Sequence, residues 1–149
     1  MKFAIVAATI FAGDTFLKIH LEKRLQWGRE KEFCKGKILL CRHHNYGAAL
    51  NFLEKQPNLV KGLCASLLLV LSGVWFFLRH KRENVRMLLG LSFLLGGGGS
   101  NLYDRLSRGY VVDYVRFQTP WKRLNRIVFN VSDFFIFLGG ILLIFSEKT

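Results

Sequence analysis

Four apolar blocks constrain this chain more than any other feature of its sequence. They cover residues 3–19, 59–78, 87–103 and 127–145, are 17 to 20 residues long, and hold 73 of the 149 residues. A helix of that length crosses a hydrocarbon core of about 30 Å at about 1.5 Å per residue. The pattern excludes an ordinary soluble globule and predicts an all-α membrane protein with four transmembrane helices.

The connections between the blocks share one plan. Four spans place both termini on one side of the membrane with the loop 79–86, and they place the connections 20–58 and 104–126 together on the other side. Lys37 to Cys41 and Gly109 to Phe117 alternate like strands, which predicts a small β-like or interfacial segment there. We expect residues 1–149 to form a single membrane domain.

The first block has two interpretations. Met1, Lys2 and the apolar run after them are also typical of a cleaved signal peptide. However, Asp14 and Lys18 continue at helical spacing within an apolar pattern, and no clear small-x-small cleavage site follows. These features favour a retained first helix.

Basic residues dominate the charge but do not settle the orientation. The net charge is +12, from 22 Lys and Arg against 10 Asp and Glu, and most basic residues lie in the connections. There they are more typical of anchors at anionic lipid headgroups than of nucleic-acid contacts, and no nucleic-acid-binding motif accompanies them. The side with both termini holds six Lys and Arg and the other side sixteen, which contradicts a cytoplasmic N-terminus. However, four of the eight residues in the short loop 79–86 are basic, and this density favours a cytoplasmic N-terminus.

The cysteines leave several possibilities open. Cys64 lies in the second block and is most simply a packing residue, while Cys34 and Cys41 precede His43 and His44 in the first connection. A disulfide, a zinc site or unpaired thiols all fit this spacing, and unpaired thiols are favoured because no standard ligand pattern is present.

The four aspartates carry the strongest chemical signal. Asp14, Asp104, Asp113 and Asp133 each lie within or beside an apolar block, where a charged group costs several kcal/mol. Asp113 and Asp133 return to the same membrane surface, so they can meet and share one proton. In the alternative interpretation each pairs with an arginine, such as Arg105, Arg108 or Arg116, for structural reasons.

Five sequence blocks resemble the signature of the lipoprotein signal peptidase family, the type II signal peptidases. They are Asp14-x-x-x-Lys18, Asn45-Tyr46-Gly47-Ala48-Ala49, Asn101-Leu102-Tyr103-Asp104-Arg105-Leu106, Gly109-Tyr110-Val111-Val112-Asp113-Tyr114 and Phe129-Asn130-Val131-Ser132-Asp133. They occur in the family's order across almost the whole chain. The resemblance implies an aspartic endopeptidase in the bacterial cytoplasmic membrane, with its N-terminus in the cytoplasm and its active site near the outer leaflet.

The resemblance also implies the substrate and the site. Such enzymes remove signal peptides from diacylglyceryl-modified prolipoproteins and cut N-terminal to the lipidated cysteine, without metal or other cofactor. Asp113 and Asp133 match the catalytic pair, and the supporting polar residues match Asp14, Asn45, Asn101, Arg105 and Asn130. Asp14 keeps an alternative role, an ion pair with Lys18.

Departures from the family pattern concern substrate fit more than chemistry. Ser100 stands where glycine is usual, Ser132 where alanine is usual and Leu50 where phenylalanine is common; Thr15 and Leu17 also differ. A non-catalytic relative that binds signal peptides or another membrane protein is the alternative function. We expect a monomer whose partners are lipidated prolipoproteins and membrane lipids. The lipids include anionic ones if the basic residues beside Trp121 face headgroups rather than water; these are Lys122, Arg123 and Arg126.

Overall fold

The computed structural model describes residues 2–48, 52–79 and 85–146. Within them the chain forms four α-helices and a four-stranded antiparallel sheet. The helices are α1 (Lys2–Arg24), α2 (Pro57–Leu78), α3 (Val85–Ser107) and α4 (Val131–Ile144); the strands are β1 (Lys31–Phe33), β2 (Ile38–Asn45), β3 (Val111–Phe117) and β4 (Val128–Phe129). The fold is therefore not strictly all-α: the alternating segments of both long connections, where the sequence predicts a small β-like segment, pair into one sheet.

Two of the helices are long and apolar enough to cross a membrane. These are α1 and α2, while α4 is apolar but shorter. Helix α3 has the length but carries Asp104 and Arg105 in its last turn. Four transmembrane spans remain a prediction.

The fourth block begins differently from the prediction. Residues 127–130 are not helical: Val128 and Phe129 form β4, and Asn130 caps α4. Asn130 and Asp133 form a capping box, in which each side chain bonds the other's backbone N–H. The helix begins at this box because its first N–H groups find their partners there.

The sheet has the order β1-β2-β3-β4 and joins the two long connections. Strand β2 pairs with β3 from Ile38 opposite Phe117 to Asn45 opposite Val111. Since these strands come from the first and third connections, both connections lie on the same side of the helices. A bulge, in which Cys41 and Arg42 face the single residue Tyr114, interrupts the ladder beside Asp113.

Helix α3 packs closely against α1 and α4 through glycines. A Cβ atom on Gly96 would lie 2.7 Å from the carbonyl oxygen of Ala7, and one on Gly97 would lie 2.7 Å from that of Ser132. Gly90 and Gly139 approach each other's carbonyl oxygens in the same way, at 2.9 and 2.7 Å. These glycines therefore permit close approach of the helix backbones.

Two further sequence predictions concern the connections. Residues 80–84 of the predicted loop 79–86 lie outside the described residues. All three cysteines are free: Cys34 is exposed in the β1–β2 turn, Cys41 is buried in β2, and Cys64 is half-buried in α2. The structure has no disulfide among these three cysteines, and Cys41 belongs to a strand rather than a polar loop.

Candidate active site

A cavity of about 490 Å³ lies between α2, α3, α4 and the sheet. Leucine side chains from α2 and α3 and the apolar residues around β4 make most of its wall apolar. Its polar atoms come from five of the predicted site residues: Asn45, Asn101, Arg105, Asp113 and Asp133. Asn130 and Asp14 are buried behind this wall.

Asp113 projects from the middle of β3 and is held by two amide groups. Its Oδ1 accepts a hydrogen bond from Asn130 Nδ2 at 2.7 Å, and its Oδ2 accepts one from Asn45 Nδ2 at 3.2 Å. Asn45 ends β2, so the β2–β3 pairing places this amide beside the carboxyl group. Both oxygens are thus held by neutral donors, which leave the charge of the pair uncompensated.

Asp133 lies in the first turn of α4 and is held by the helix cap. Its Oδ2 accepts from the backbone N–H of Asn130 at 2.9 Å, and its Oδ1 accepts from Asn101 Nδ2 at 3.1 Å. Asn130 therefore contacts both aspartates, through its backbone to Asp133 and through its side chain to Asp113. This shared residue joins the two carboxyl groups into one unit.

The environment of Asp113 favours its protonated form. Burial, and secondarily the negative charge of Asp133, raises the pKa of Asp113 from 3.8 to about 7, although the amide donors of Asn130 and Asn45 oppose the shift. A carboxyl group with such a pKa can hold a proton near neutral pH and still release it.

In the alternative interpretation Asp113 and Asp133 would each pair with an arginine, but Arg105, Arg108 and Arg116 have other partners. Arg105 donates to the carbonyl oxygens of Gly47 at 2.8 Å and Asn101 at 3.1 Å. Arg108 pairs with Glu22 at 2.6 Å, and Arg116 pairs with Glu30. Arg105 thus links α3 to the segment after β2 on the cavity wall.

Asp14 forms the ion pair with Lys18 that the alternative interpretation expects. Lys18 Nζ lies 2.7 Å from Asp14 Oδ2 and 3.3 Å from Asp104 Oδ2, and all three side chains are fully buried. The same ammonium group donates to Asn101 Oδ1 at 2.7 Å. Lys18 and Asn101 thus form one polar path from Asp14 to Asp133.

Sequence reasoning missed most of this buried network. The hydroxyl groups of Ser100 and Ser132, both departures from the family pattern, donate to Asp14 Oδ2 at 2.6 and 2.5 Å, and Tyr114 donates to its Oδ1 at 3.3 Å. The spacing of Asp14 and Lys18 was the available signal, since a buried carboxylate and ammonium four residues apart need further partners. Leu50, another departure, lies outside the described residues.

A second polar cluster surrounds Glu22 at the end of α1. Its carboxylate accepts from His44 Nε2 at 2.8 Å, from Arg108 at 2.6 Å and from the Tyr110 hydroxyl at 3.0 Å. The His44 ring stacks on Tyr110 with centroids 3.7 Å apart. Burial lowers the pKa of His44, and the Glu22 carboxylate opposes that shift. The cluster ties α1 to the sheet, and none of these four residues lines the cavity.

Comparison with known proteins identifies the family. The family model described as Signal peptidase (SPase) II matches residues 6–148. A lipoprotein signal peptidase of Streptococcus pneumoniae is 27% identical over 143 residues, covering 96% of this chain and 90% of that protein. One from Brucella ovis is 33% identical over 147 residues, covering 97% and 87%.

The fold has a solved counterpart. A structure described as a bacterial membrane enzyme, determined by the in meso method at 2.3 Å resolution, matches with a TM-score of 0.81 at 21% identity, covering 99% of this chain and 92% of that one. Together with the family match over almost the whole sequence, the shared fold accounts for the order of the five signature blocks. The chain belongs to the signal peptidase II family of membrane proteases.

Proposed function

We propose that this chain is an intramembrane aspartic endopeptidase that removes signal peptides from diacylglyceryl-modified prolipoproteins. It cuts the peptide bond N-terminal to the lipidated cysteine. The observation that carries the proposal is the pair Asp113 and Asp133 on the wall of one apolar cavity, both held by Asn130. An apolar site with two carboxyl groups suits the cleavage of a hydrophobic peptide segment.

The reaction needs one proton on the pair and one ionised carboxylate. The ionised group takes a proton from water, and the water oxygen forms a bond to the scissile carbonyl carbon. The protonated group donates to the carbonyl oxygen, which gives a tetrahedral diol. The carbon–nitrogen bond then breaks as one carboxyl group gives its proton to the nitrogen and the other carboxylate takes a hydroxyl proton from the diol. This leaves a free cysteine amine, a carboxyl group on the signal peptide and one proton on the pair. The raised pKa of Asp113 allows the pair to hold this proton near neutral pH.

The supporting residues have separate tasks in this proposal. Asn45, Asn101 and Asn130 orient the carboxyl groups, and Arg105 offers donors toward peptide carbonyl oxygens. Leu67, Leu68 and Leu71 of α2 line the cavity, which suits the acyl chains and the apolar signal peptide. The role of Asp14 is to hold Lys18.

The proposal includes an arrangement in the membrane. The single domain 1–149 spans the bacterial cytoplasmic membrane four times with its N-terminus in the cytoplasm. The sheet and the cavity then face the outer leaflet, where translocated prolipoproteins remain anchored. The enzyme acts as a monomer, with lipid as its neighbour on most of α2.

A cleavage assay with purified protein in detergent tests this function. The substrate is a diacylglyceryl-modified prolipoprotein, and the matched control is the same precursor without lipid. We expect cleavage of the lipidated precursor before the modified cysteine, at a rate that EDTA leaves unchanged. Binding of the signal peptide without cleavage would favour the non-catalytic alternative, and loss of activity with EDTA that zinc restores would contradict the aspartic mechanism.

A further inference from the structure

Three asparagine amides donate to the two aspartates, and each must present its nitrogen rather than its oxygen. An asparagine side chain can occupy either orientation, but only Nδ2 can donate to a carboxylate. The orientation therefore depends on what holds the amide oxygen. For Asn45 that partner is the backbone N–H of Gly47 at 3.0 Å, and for Asn130 it is the backbone N–H of Asp133 at 3.0 Å.

Asn101 is held differently from the other two amides. Its Oδ1 accepts from the Lys18 ammonium group at 2.7 Å, while its Nδ2 donates to Asp133 Oδ1 at 3.1 Å. Lys18 lies on α1, 83 residues away along the chain, and is fully buried. The donor that holds the amide oxygen of Asn101 is thus a side chain from another helix, whereas for Asn45 and Asn130 it is a backbone N–H.

We propose that Lys18 is a positioning residue of the peptidase, which holds Asn101 in the one orientation that hydrogen-bonds Asp133. An ammonium group has three hydrogen-bond donors and no acceptor, so of the two amide atoms it can form a hydrogen bond only with the oxygen. If Asn101 turned over, its NH₂ group would face Lys18 and its oxygen would face the carboxylate of Asp133, so both contacts would become repulsive. The inference rests on the proposed function because it concerns the catalytic pair.

The ammonium group is itself fixed from the other side. Asp14 Oδ2 lies 2.7 Å away and Asp104 Oδ2 lies 3.3 Å away, and Ser100 Oγ accepts from Lys18 at 3.2 Å. Two carboxylates of α1 and α3 thereby keep the cation at the position where it meets Asn101. They also offset its positive charge.

A double-mutant cycle between Lys18 and Asn101 tests the inference. We expect K18M to lower kcat on the order of 10- to 100-fold, as loss of outer partners of a site does elsewhere, with KM nearly unchanged. In the N101A background K18M should cost no more than about twofold, within the scatter of independent effects. A full K18M loss in that background would overturn the inference, and so would unchanged kcat in K18M alone.

The matched control is S132A. It removes a hydrogen bond to Asp14 in the same network without touching Asn101 or Lys18, and it restores the residue usual in the family. We expect a lower unfolding temperature with unchanged kcat. If S132A reproduced the K18M loss of kcat, the network would act only through general stability and the inference would fail.

Two further comparisons keep the result interpretable. If K18M does not fold, because Asp14 and Asp104 lose their cation, the same cycle is run in a D14N/D104N background, where those charges are absent. D113N and D133N are assayed in parallel. Turnover in either would refute the proposed function, whereas inactive D113N and D133N with an additive Lys18–Asn101 cycle would refute only the role of Lys18.

Discussion

At the scale of single residues, the site satisfies its two carboxyl groups without neutralising them. The donors to Asp113 are neutral amides, and those to Asp133 are an amide and a backbone N–H. The buried cation Lys18 is already paired with Asp14 and Asp104. A direct arginine contact would fix both aspartates as anions, whereas amides orient them and leave a proton on the pair.

The raised pKa of Asp113 predicts how the effect of D113N on the free energy of unfolding changes with pH. Because the folded pKa, about 7, exceeds the ordinary value of 3.8, the folded state binds this proton more tightly than the unfolded state. The resulting stability is present below about pH 4 and lost as pH rises toward 7. D113N lacks this dependence, so its unfolding free energy should rise relative to the unmodified protein across that window, by an amount on the order of 4 kcal/mol at most.

Unfolding measured in detergent between pH 4 and 8 checks this difference. The change of the difference with pH reports the ionisation of Asp113, because pH-independent contributions, including the changed hydrogen bonds of the new amide, add only a constant offset. A difference that is constant with pH, or that changes in favour of the unmodified protein, would show that Asp113 ionises at its ordinary pKa.

The sequence indicates which residues matter more readily than how they are oriented. Asp113 and Asp133 stand out because charged groups beside apolar blocks are costly, and the resemblance adds the asparagines. The contacts of Lys18 with Asn101 and of Ser132 with Asp14 join residues 83 and 118 positions apart. No local pattern specifies such contacts, because they depend on how α1, α3 and α4 pack.

At the scale of elements, two local devices position the site. The capping box begins α4 at Val131 and holds Asp133 in its first turn. The glycines of α3 let the backbone of α1 and the backbone of α4 each approach the backbone of α3 closely. This packing brings Asp14 and Ser132 together. The sequence pattern places the start of the fourth helix too early, since apolar content alone does not distinguish β4 from the first turn of α4.

Adjacent glycines of α4 provide a matched test of this packing. A Cβ atom on Gly139 would lie 2.7 Å from the carbonyl oxygen of Gly90, whereas one on Gly140 meets nothing within 4 Å. We expect G139A to destabilise the protein by about 1–3 kcal/mol through overpacking and G140A to be neutral or slightly stabilising. Thermal unfolding of both variants in the same detergent measures this, and equal unfolding temperatures would contradict the close approach of α3 and α4.

At the scale of the whole molecule, the sheet joins the two long connections on one face of the helices. The proposed orientation places that face outside the cytoplasm, against the raw count of Lys and Arg. The basic residues there are partly used within the fold: Arg105, Arg108 and Arg116 each have protein partners. These three arginines therefore have structural roles on that face, apart from any effect on orientation.

The exposed thiol of Cys34 reports this orientation directly. A membrane-impermeant maleimide added to spheroplasts of a bacterial host should label Cys34, which lies in the β1–β2 turn, while C34S should stay unlabelled. A cysteine introduced at Arg86, at the start of α3, should react only after permeabilisation. Labelling at position 86 but not at Cys34 would invert the proposed orientation.

The third connection carries an exposed basic surface, formed by Lys122, Arg123 and Arg126 beside the exposed Trp121. Asn125 fixes this loop through hydrogen bonds to the backbone of Thr119. Each exposed cation near an anionic bilayer contributes about 1 kcal/mol of attraction. Replacing all three with glutamine should abolish most of the rise in cleavage rate with anionic lipid content, whereas K2Q/R86Q, on the opposite side, should not. An unchanged lipid dependence would leave this surface as a solvated loop.

The most direct test of the account is the cleavage of a lipidated prolipoprotein by purified D113N and D133N. Each substitution removes one carboxyl group and keeps the size of the side chain, so the cavity and the helices should remain. The account predicts loss of nearly all turnover in each variant, on the order of 10⁴-fold or more as for other catalytic groups, with unfolding transitions still cooperative. Substantial cleavage by either folded variant would contradict the assignment of Asp113 and Asp133 as the catalytic pair.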